Sequence, residues 1–241
     1  DDSTSVLEFS NRSLGDKIIP TLCDDVNLKP YGACRVCSVE VQYNEDGPKR
    51  TVASCHTPIN PGMHIYTNSD SIKKLRRNIV ELVLSDHPPE CLTCEVNGNC
   101  ELQDVAASVG VRKIRYAKGA NHIDREKDLS HAYMRMDLSK CINCSRCVRA
   151  CDEVQGQFTL TMTGRGFESR ITTDNDMLFG DSSCVSCGAC AQTCPTSAIS
   201  DVFQSKSVEA DKTVRTVCAY CGVGCNLEVA VKNNEVLSIR A

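Results

Sequence analysis

The spacing of its cysteines constrains this chain more than any other feature of the sequence. Eighteen cysteines occur among 241 residues, and most of them are separated by only two or three residues. Such short gaps are typical of metal sites rather than of a secreted disulfide framework. Aromatic residues make up only 5% of the chain and tryptophan is absent, so large core residues are scarce. We therefore expect an α+β string of small domains whose folding depends partly on bound metal.

The first group has the spacing C-x10-C-x2-C-x17-C and consists of Cys23, Cys34, Cys37 and Cys55. Gly32 precedes the close pair, where a loop that turns its amides toward cluster sulfurs must curve tightly. The residues SVEVQY after the pair alternate like a half-buried strand, and TVASC is its expected partner strand. Zinc is the alternative metal, but the unequal gaps favour a 2Fe-2S cluster on a ferredoxin-like sheet.

The second group has the spacing H-x3-C-x2-C-x5-C and consists of His87, Cys91, Cys94 and Cys100. An amphipathic helix is predicted before it, because apolar residues recur at helical spacing at Ile72, Leu75, Ile79, Leu82 and Val83. This helix should end at Ser85-Asp86, because two prolines follow His87, and Asn97-Gly98-Asn99 should form a turn. A histidine beside prolines is usually an ordinary surface residue, but three cysteines directly after it indicate a ligand. Zinc with the same four ligands is the alternative.

Two further groups repeat one motif, C-x2-C-x2-C-x3-C. The first copy consists of Cys141, Cys144, Cys147 and Cys151, and the second of Cys184, Cys187, Cys190 and Cys194. In two-cluster ferredoxins the fourth cysteine of each copy binds the other cluster. One 4Fe-4S cluster is therefore assigned to Cys141, Cys144, Cys147 and Cys194. The other is assigned to Cys184, Cys187, Cys190 and Cys151.

The segment between the two copies carries Gly156, Gly164 and Gly166 among short apolar runs, which predicts a strand, a turn and a second strand. Three basic residues, Lys140, Arg146 and Arg149, lie beside the first copy of the motif. They would raise the reduction potential of a nearby cluster, but we expect them on the solvated surface. The remaining histidines, His56, His64, His122 and His131, are expected to be structural or exposed.

The last group, C-x2-C-x3-C, consists of Cys218, Cys221 and Cys225. The residues LEVAV and EVLSI flank Lys232-Asn233-Asn234, which predicts a β-hairpin directly after the group. Three ligands leave one iron of a cubane cluster without a protein partner. A zinc site completed elsewhere, or simple redox cysteines, are therefore the alternatives.

These motifs resemble known proteins in their residues as well as in their spacing. The segment from IPTLC to TVASC and the site of His87 resemble the large iron–sulfur subunit of respiratory complex I. The resemblance implies a 2Fe-2S cluster for the first group and a 4Fe-4S cluster for the second, with one histidine and three cysteine ligands. Replacement of a thiolate ligand by a neutral imidazole raises the reduction potential of a cluster, as in Rieske centres. In that family a β-hairpin precedes the first group, and we expect it to be missing from this sequence.

The later part of the chain resembles a second family. CVRACDEVQGQFTLTMTGRGFESRI and VSCGAC are similar to the α subunit of cytoplasmic NAD(P)-linked molybdenum or tungsten formate dehydrogenases. The segment VCAYCGVGCNLEV resembles the opening of the catalytic domain of molybdopterin-dependent formate dehydrogenases and nitrate reductases. The resemblance implies a fourth cysteine beyond Ala241, which would allow a further 4Fe-4S cluster. It also implies a molybdenum- or tungsten-bis-pterin centre outside the sequence, so no residue here is expected to be catalytic.

Together these observations predict four domains. Residues 1–70 form the 2Fe-2S domain, 71–130 the 4Fe-4S domain with one histidine ligand, 131–205 the two-cluster ferredoxin, and 206–241 the start of the molybdopterin-oxidoreductase 4Fe-4S domain. The expected cofactors within the sequence are one 2Fe-2S and three 4Fe-4S clusters. With a net charge of −4, no basic tail and no long apolar run, we expect neither nucleic-acid binding nor membrane insertion. The cysteine spacing and the resemblance predict a cytoplasmic location.

The leading functional hypothesis is the electron-transfer arm of a formate dehydrogenase. Its clusters would relay electrons between the pterin centre and a flavin subunit that reduces NAD(P), in a multi-subunit complex with a small 2Fe-2S subunit. The first alternative is an iron–sulfur diaphorase subunit of an NAD-linked or electron-bifurcating hydrogenase. A complex I fragment and a zinc-bound scaffold without redox activity are the others.

Overall fold

The computed structural model describes residues 4–116, 126–203 and 209–240. It contains four small sheets of two or three strands and five short-to-medium α-helices in these ranges. This confirms the predicted α+β class built from small units. His122 lies outside the described residues. Within the described ranges, no helix is both long and apolar enough to cross a membrane.

The first unit is a three-stranded antiparallel sheet whose first strand along the chain lies in the centre. Strand β1 (Ser38–Gln42) pairs with β2 (Arg50–Ala53), as the alternating pattern predicted, and with β3 (His64–Tyr66), which the pattern did not predict. Helix α1 (Val6–Leu14) precedes the sheet and begins where the Ser5 side chain accepts a hydrogen bond from the Glu8 amide. Its apolar residues join the buried face of the sheet in one core, so α1 covers the sheet.

Helix α2 (Asp70–Ser85) ends at the predicted residue, directly before the prolines. Ser69 caps its first turn through the Ile72 amide. The buried face differs from the predicted apolar stripe, because Arg76 and Glu81 are buried and Leu82 is 53% exposed. Both charged side chains have partners, which compensates their burial: Arg76 donates to the Ser38 carbonyl, and Glu81 pairs with Arg115. Helix α3 (Glu101–Ser108) follows and packs against α2.

In the next unit, the first and the last strand pair with each other. Strand β4 (Met134–Met136) pairs with β7 (Ile199–Asp201), so the start and the end of the unit meet. Between them lie α4 (Arg146–Arg149), which continues as a wider helical turn over Ala150–Val154, and α5 (Ala189–Thr193). The predicted hairpin is present as β5 (Leu160–Thr163) and β6 (Arg170–Thr173).

The last described unit is a three-stranded sheet whose strands lie side by side in chain order. The predicted hairpin consists of β9 (Asn226–Lys232) and β10 (Glu235–Arg240). Asn233 and Asn234 form its turn with φ angles of 49° and 64°, which asparagine tolerates better than most residues. The third strand, β8 (Lys212–Val217), is exposed along its whole length and was not predicted.

Candidate metal centres

The four cysteines of the first group lie together at the end of the first sheet where β1 begins and β2 ends. The Cys37 and Cys55 sulfurs are 3.4 Å apart, and the Cys34 amide lies 3.5 Å from the Cys23 sulfur. The Cys37 and Cys55 thiols share a hydrogen bond, as do the Cys23 and Cys34 thiols, and this lowers the pKa of Cys37 and that of Cys23 to about 6 each. The other thiol of each pair has a raised pKa for the same reason. Each pair therefore favours one thiolate, the form that binds metal.

The loop that carries this group has the expected curvature. Gly32 has a φ of +71°, a left-handed conformation that glycine adopts at little cost. Cys23, Cys37 and Cys55 are each only 1% exposed. Three of the four residues that the sequence assigned to the 2Fe-2S site are therefore buried and the fourth, Cys34, is half-buried, and the four are adjacent, as ligands of one cluster must be.

The second group lines one side of a large cavity. Its members, His87, Cys91, Cys94 and Cys100, all contribute to the wall. The Nδ1 atom of His87 is buried and has no hydrogen-bond partner among the described residues. Burial, followed by the charge of Lys140, lowers the pKa of His87, so its imidazole is neutral. A neutral imidazole with an unsatisfied buried nitrogen is suited to bind iron.

The two copies of the repeated motif form two apolar cavities, and each cavity takes cysteines from both copies. One is lined by Cys141, Cys144, Cys147 and Cys194. The other is lined by Cys184, Cys187, Cys190 and Cys151. The hairpin supplies a wall to each, with Ile171 of β6 in the first cavity and Leu160 of β5 in the second. The structure thus brings together the two crossed sets, and their role as ligands stays a prediction.

Burial dominates the protonation of these thiols. It raises the pKa of Cys144 to about 12 and that of Cys141 to about 11, despite hydrogen bonds from nearby amides. The pKa values of Cys147 and Cys190 are raised by burial and then by repulsion from other thiols, mainly those of their own cavities. In the metal-free form these side chains are therefore neutral thiols. Binding of a cluster must release their protons, so a cluster supplies the positive charge that makes four buried thiolates tolerable.

The donor sets fit clusters better than single ions. Nowhere in the ranges 4–116, 126–203 and 209–240 do three or more His, Cys, Asp or Glu side chains converge as one metal ion requires. Thiolates bound to one zinc lie at about 2.3 Å from the metal and close to one another. The thiolates of a cluster bind different irons, so their sulfurs are further apart. Thiols with one neutral imidazole are ligands that iron–sulfur clusters use.

The fifth group lies on the exposed loop between β8 and β9. The Cys218 amide donates to the Cys225 carbonyl at 2.8 Å, which closes the loop, and Gly224 has a φ of +68°. Cys221 and Cys225 are exposed and Cys218 is half-buried. At least two members of this group are therefore accessible to solvent.

The expectation of solvated positions is wrong for the two arginines beside the first motif copy, and the side chain of Lys140 is only 17% exposed. Arg146 is 4% exposed and Arg149 is 6% exposed. Arg146 donates to Glu101 at 2.6 Å, Asp25 at 2.8 Å and Thr193 at 3.0 Å. Arg146 lies where the predicted two-cluster ferredoxin (the ferredoxin unit) contacts the first two groups, and Arg149 lies where this unit contacts the first group. Their burial depends on segments far away in sequence, so local pattern could not reveal it.

The remaining predicted residues are Lys140 and the histidines outside the second group. Lys140 pairs with Glu95 at 3.3 Å and with Asp137 at 3.7 Å. His131 is buried, and its Nδ1 accepts hydrogen bonds from the Tyr133 and Met134 amides, which is a structural role as expected. His56 and His64 are exposed.

Comparison with known families assigns iron–sulfur domains along the chain. Residues 12–70 match the 2Fe-2S iron-sulfur cluster binding domain, and residues 76–115 match the NADH-ubiquinone oxidoreductase-G iron-sulfur binding region. Residues 140–198 match the 4Fe-4S dicluster domain, and residues 211–241 match the molybdopterin oxidoreductase Fe4S4 domain. The models follow the order of the cysteine groups, and all of them favour clusters over zinc.

Three similar proteins illustrate how widely this arrangement occurs. NADH-quinone oxidoreductase subunit 3 of Thermus thermophilus is 33% identical over 92% of this chain and 32% of its own length. A protein of Staphylococcus haemolyticus named provisionally as a formate dehydrogenase is 29% identical over 98% of this chain and 27% of its own. A solved NAD+-reducing [NiFe]-hydrogenase chain has a TM-score of 0.76 at 28% identity, covering 87% of this chain and 85% of that one. The chain spans about a quarter to a third of the length of the curated relatives it matches.

Proposed function

The chain has the N-terminal iron–sulfur region shared by NADH-quinone oxidoreductases of the complex I type, formate dehydrogenases and NAD-reducing hydrogenases, and we propose that it transfers electrons within such an NAD(P)-linked oxidoreductase. The proposed cofactors are one 2Fe-2S cluster and three 4Fe-4S clusters, held by the assigned cysteines and His87. The proposed domains are 1–70, 71–130, 131–205 and 206–241. When bound, the clusters accept and donate single electrons, which separates the chemistry of a two-electron donor from that of a nicotinamide.

The observation that carries this proposal is the contact of segments from four cysteine groups at one buried guanidinium. Arg146 directly precedes Cys147 and binds Asp25, two residues after Cys23. It also binds Glu101, which follows Cys100, and Thr193, which precedes Cys194. Neighbouring sites suit stepwise transfer of electrons between clusters.

A second contact supports the same proximity between the second group and the ferredoxin unit. The Cys100 sulfur lies 3.7 Å from the Pro195 carbonyl, and the Glu101 amide donates to the same oxygen at 3.1 Å. Pro195 directly follows Cys194. The proposed ligands Cys100 and Cys194 thus lie on segments in direct contact, and they would hold different clusters.

We propose that the electron path connects the two reaction sites of a formate dehydrogenase. The match of residues 211–241 to the molybdopterin oxidoreductase Fe4S4 domain supports it, because Cys218, Cys221 and Cys225 belong to this segment. A fourth ligand outside the sequence would complete this site, next to a molybdenum or tungsten pterin centre. At the other end, the proposed partners are a flavin subunit that binds NAD(P) and a small 2Fe-2S subunit, in the cytoplasm.

A hydrogenase complex is the second candidate, and one specific observation favours it. The solved chain of the NAD+-reducing [NiFe]-hydrogenase matches this chain with a TM-score of 0.76, so the same arrangement of small domains occurs in that enzyme. In this alternative the same clusters would serve a nickel–iron site in another subunit.

The experiment is metal analysis and spectroscopy of the full-length protein purified anaerobically with its complex. The proposal predicts about 14 irons per chain from the four complete sites, or about 18 with the fifth. Formate-dependent reduction of NAD(P) with molybdenum or tungsten present would support the formate dehydrogenase. Hydrogen-dependent reduction with nickel present would support the alternative, and zinc without iron would contradict both.

A further inference from the structure

Two buried arginines border the first cysteine group from different sides. Arg76, on α2, is 4% exposed and donates from Nε and Nη2 to the Ser38 carbonyl at 3.0 and 2.7 Å. Ser38 directly follows Cys37. Arg149, on α4, is 6% exposed and donates to the Lys29 carbonyl at 2.7 Å and to the Cys23 carbonyl. Both guanidinium groups thus bind the main chain beside the proposed ligands Cys23 and Cys37.

Neither arginine has a carboxylate partner in the part of the chain that the structure describes. The ion pairs there involve other basic residues, including Arg146 with Asp25 and Glu101. The charge of Arg76 instead interacts with Cys37. The charge of Arg149 is felt by Cys23 and, beyond ion-pair distance, by Asp24.

A buried cation without an opposite charge is unfavourable, and carbonyl groups supply only partial compensation. The Nε atom of Arg149 even lacks a hydrogen-bond partner among the described residues, although the guanidinium lies 4.8 Å from the centre of the Tyr31 ring. A cluster held by four thiolates carries net negative charge, and it becomes more negative when it gains an electron. A cluster at the first group would therefore supply the negative charge that balances the two arginines.

We propose that Arg76 and Arg149 are the counter-charges of the 2Fe-2S cluster at the first group, and that they raise its reduction potential. The inference rests on the proposed function, because it requires that this cluster is present. The cluster takes up one electron and no proton, and a nearby cation stabilises the added negative charge. Because Arg76 and Arg149 lie outside the proposed 2Fe-2S domain, the potential also depends on the packing of the neighbouring units against it.

The test is an EPR-monitored redox titration of the 2Fe-2S signal in the full-length protein within its complex. Arg76→Met should lower the ratio of reduced to oxidised cluster about tenfold at the wild-type midpoint, which is a shift of about 59 mV for one electron. Arg76→Lys keeps the charge and should stay close to the wild type. Arg149→Met should shift the ratio in the same direction but less, since Asp24 already offsets part of its charge.

Arg77→Met is the matched control, because Arg77 is the next residue on α2 and has an exposed contact with the Val109 carbonyl. It should leave the midpoint unchanged. Equal midpoints for Arg76→Met and Arg77→Met would overturn the inference, as would equal shifts for Arg76→Met and Arg76→Lys. If Arg76→Met fails to assemble the cluster, an unshifted Arg149→Met midpoint would overturn it instead. A wild-type protein without any 2Fe-2S signal would contradict the proposed function itself.

Discussion

Cys194 and Cys151 are the residues at which the crossed arrangement of the ferredoxin unit can be tested one side chain at a time. Cys194 lies in the cavity of Cys141, Cys144 and Cys147, although it belongs to the other motif copy. Cys194→Ser should therefore remove that cluster, with a loss of about four irons per chain, and leave the second cluster in place. EPR of the reduced protein and iron analysis would show this. Cys151→Ser is the matched control and should remove the other cluster; the opposite pattern would contradict the crossed assignment.

His87 is the residue whose chemistry distinguishes the second group from an ordinary four-cysteine site. His87→Cys replaces a neutral ligand by an anionic one, so the cluster should remain but its midpoint should fall, by something on the order of 100 mV. An EPR-monitored titration of this cluster would measure the fall. His56→Cys, an exposed position, should leave the midpoint unchanged. A cluster with the same midpoint in both variants would show that His87 is not a ligand.

Ligand candidates were predictable from sequence at this scale, whereas their charged neighbours were not. Three of the four proposed ligands of each complete site lie within about fifteen residues of one another, so spacing alone indicates them. Arg76 contacts a residue 38 positions away, and Arg149 contacts one 126 positions away. Neither arginine has a motif of its own. Their burial arises only when the units pack together, which a local pattern does not report.

At the scale of elements, the β5–β6 hairpin is the one to test because it lines both cavities of the ferredoxin unit. Gly164 and Gly166 both have positive φ, but only at Gly164 would an added Cβ meet backbone, at 2.3 Å from the Glu168 carbonyl oxygen. Gly166→Ala should cost about 1–2 kcal/mol from the left-handed conformation alone. Gly164→Ala should cost clearly more, because backbone must move. Thermal or urea unfolding of the two variants checks this difference, and equal losses would contradict it.

Elements with a strong local signal were predicted, and those without one were missed. The pairs β1–β2, β5–β6 and β9–β10 combine alternating residues with a turn, and α2 combines helical spacing with a proline stop. Strand β3 has only three residues, and β8 has no buried face, so neither shows a hydrophobic alternation. Helix α1 is short and is stabilised by packing on the first sheet, which is a tertiary effect.

At the scale of the whole molecule, the packing of the units depends on polar contacts as well as on cores. Three separate hydrophobic cores serve the first sheet, the region of α2 and α3, and the ferredoxin unit. Arg146 joins segments of all three units through Asp25, Glu101 and Thr193. Because proposed ligands adjoin each of these contacts, a disturbance of the packing should change the distances between clusters as well as stability.

Arg146→Met tests this packing. It leaves Asp25, whose side chain is only 14% exposed, without its cation, so the full-length protein should lose about 3 kcal/mol of unfolding free energy. Burial opposes ionisation of Asp25, but hydrogen bonds from Asn27 and Thr193 together with Arg146 outweigh it and lower its pKa. The contribution should therefore persist above the ordinary aspartate range near pH 4 and disappear only as pH falls through the lowered value. Urea unfolding at several pH values measures both effects.

Arg215→Met is the control, because it breaks an exposed ion pair and should cost under about 1 kcal/mol of unfolding free energy. An equal loss in both variants would show that Arg146 does not hold the units together.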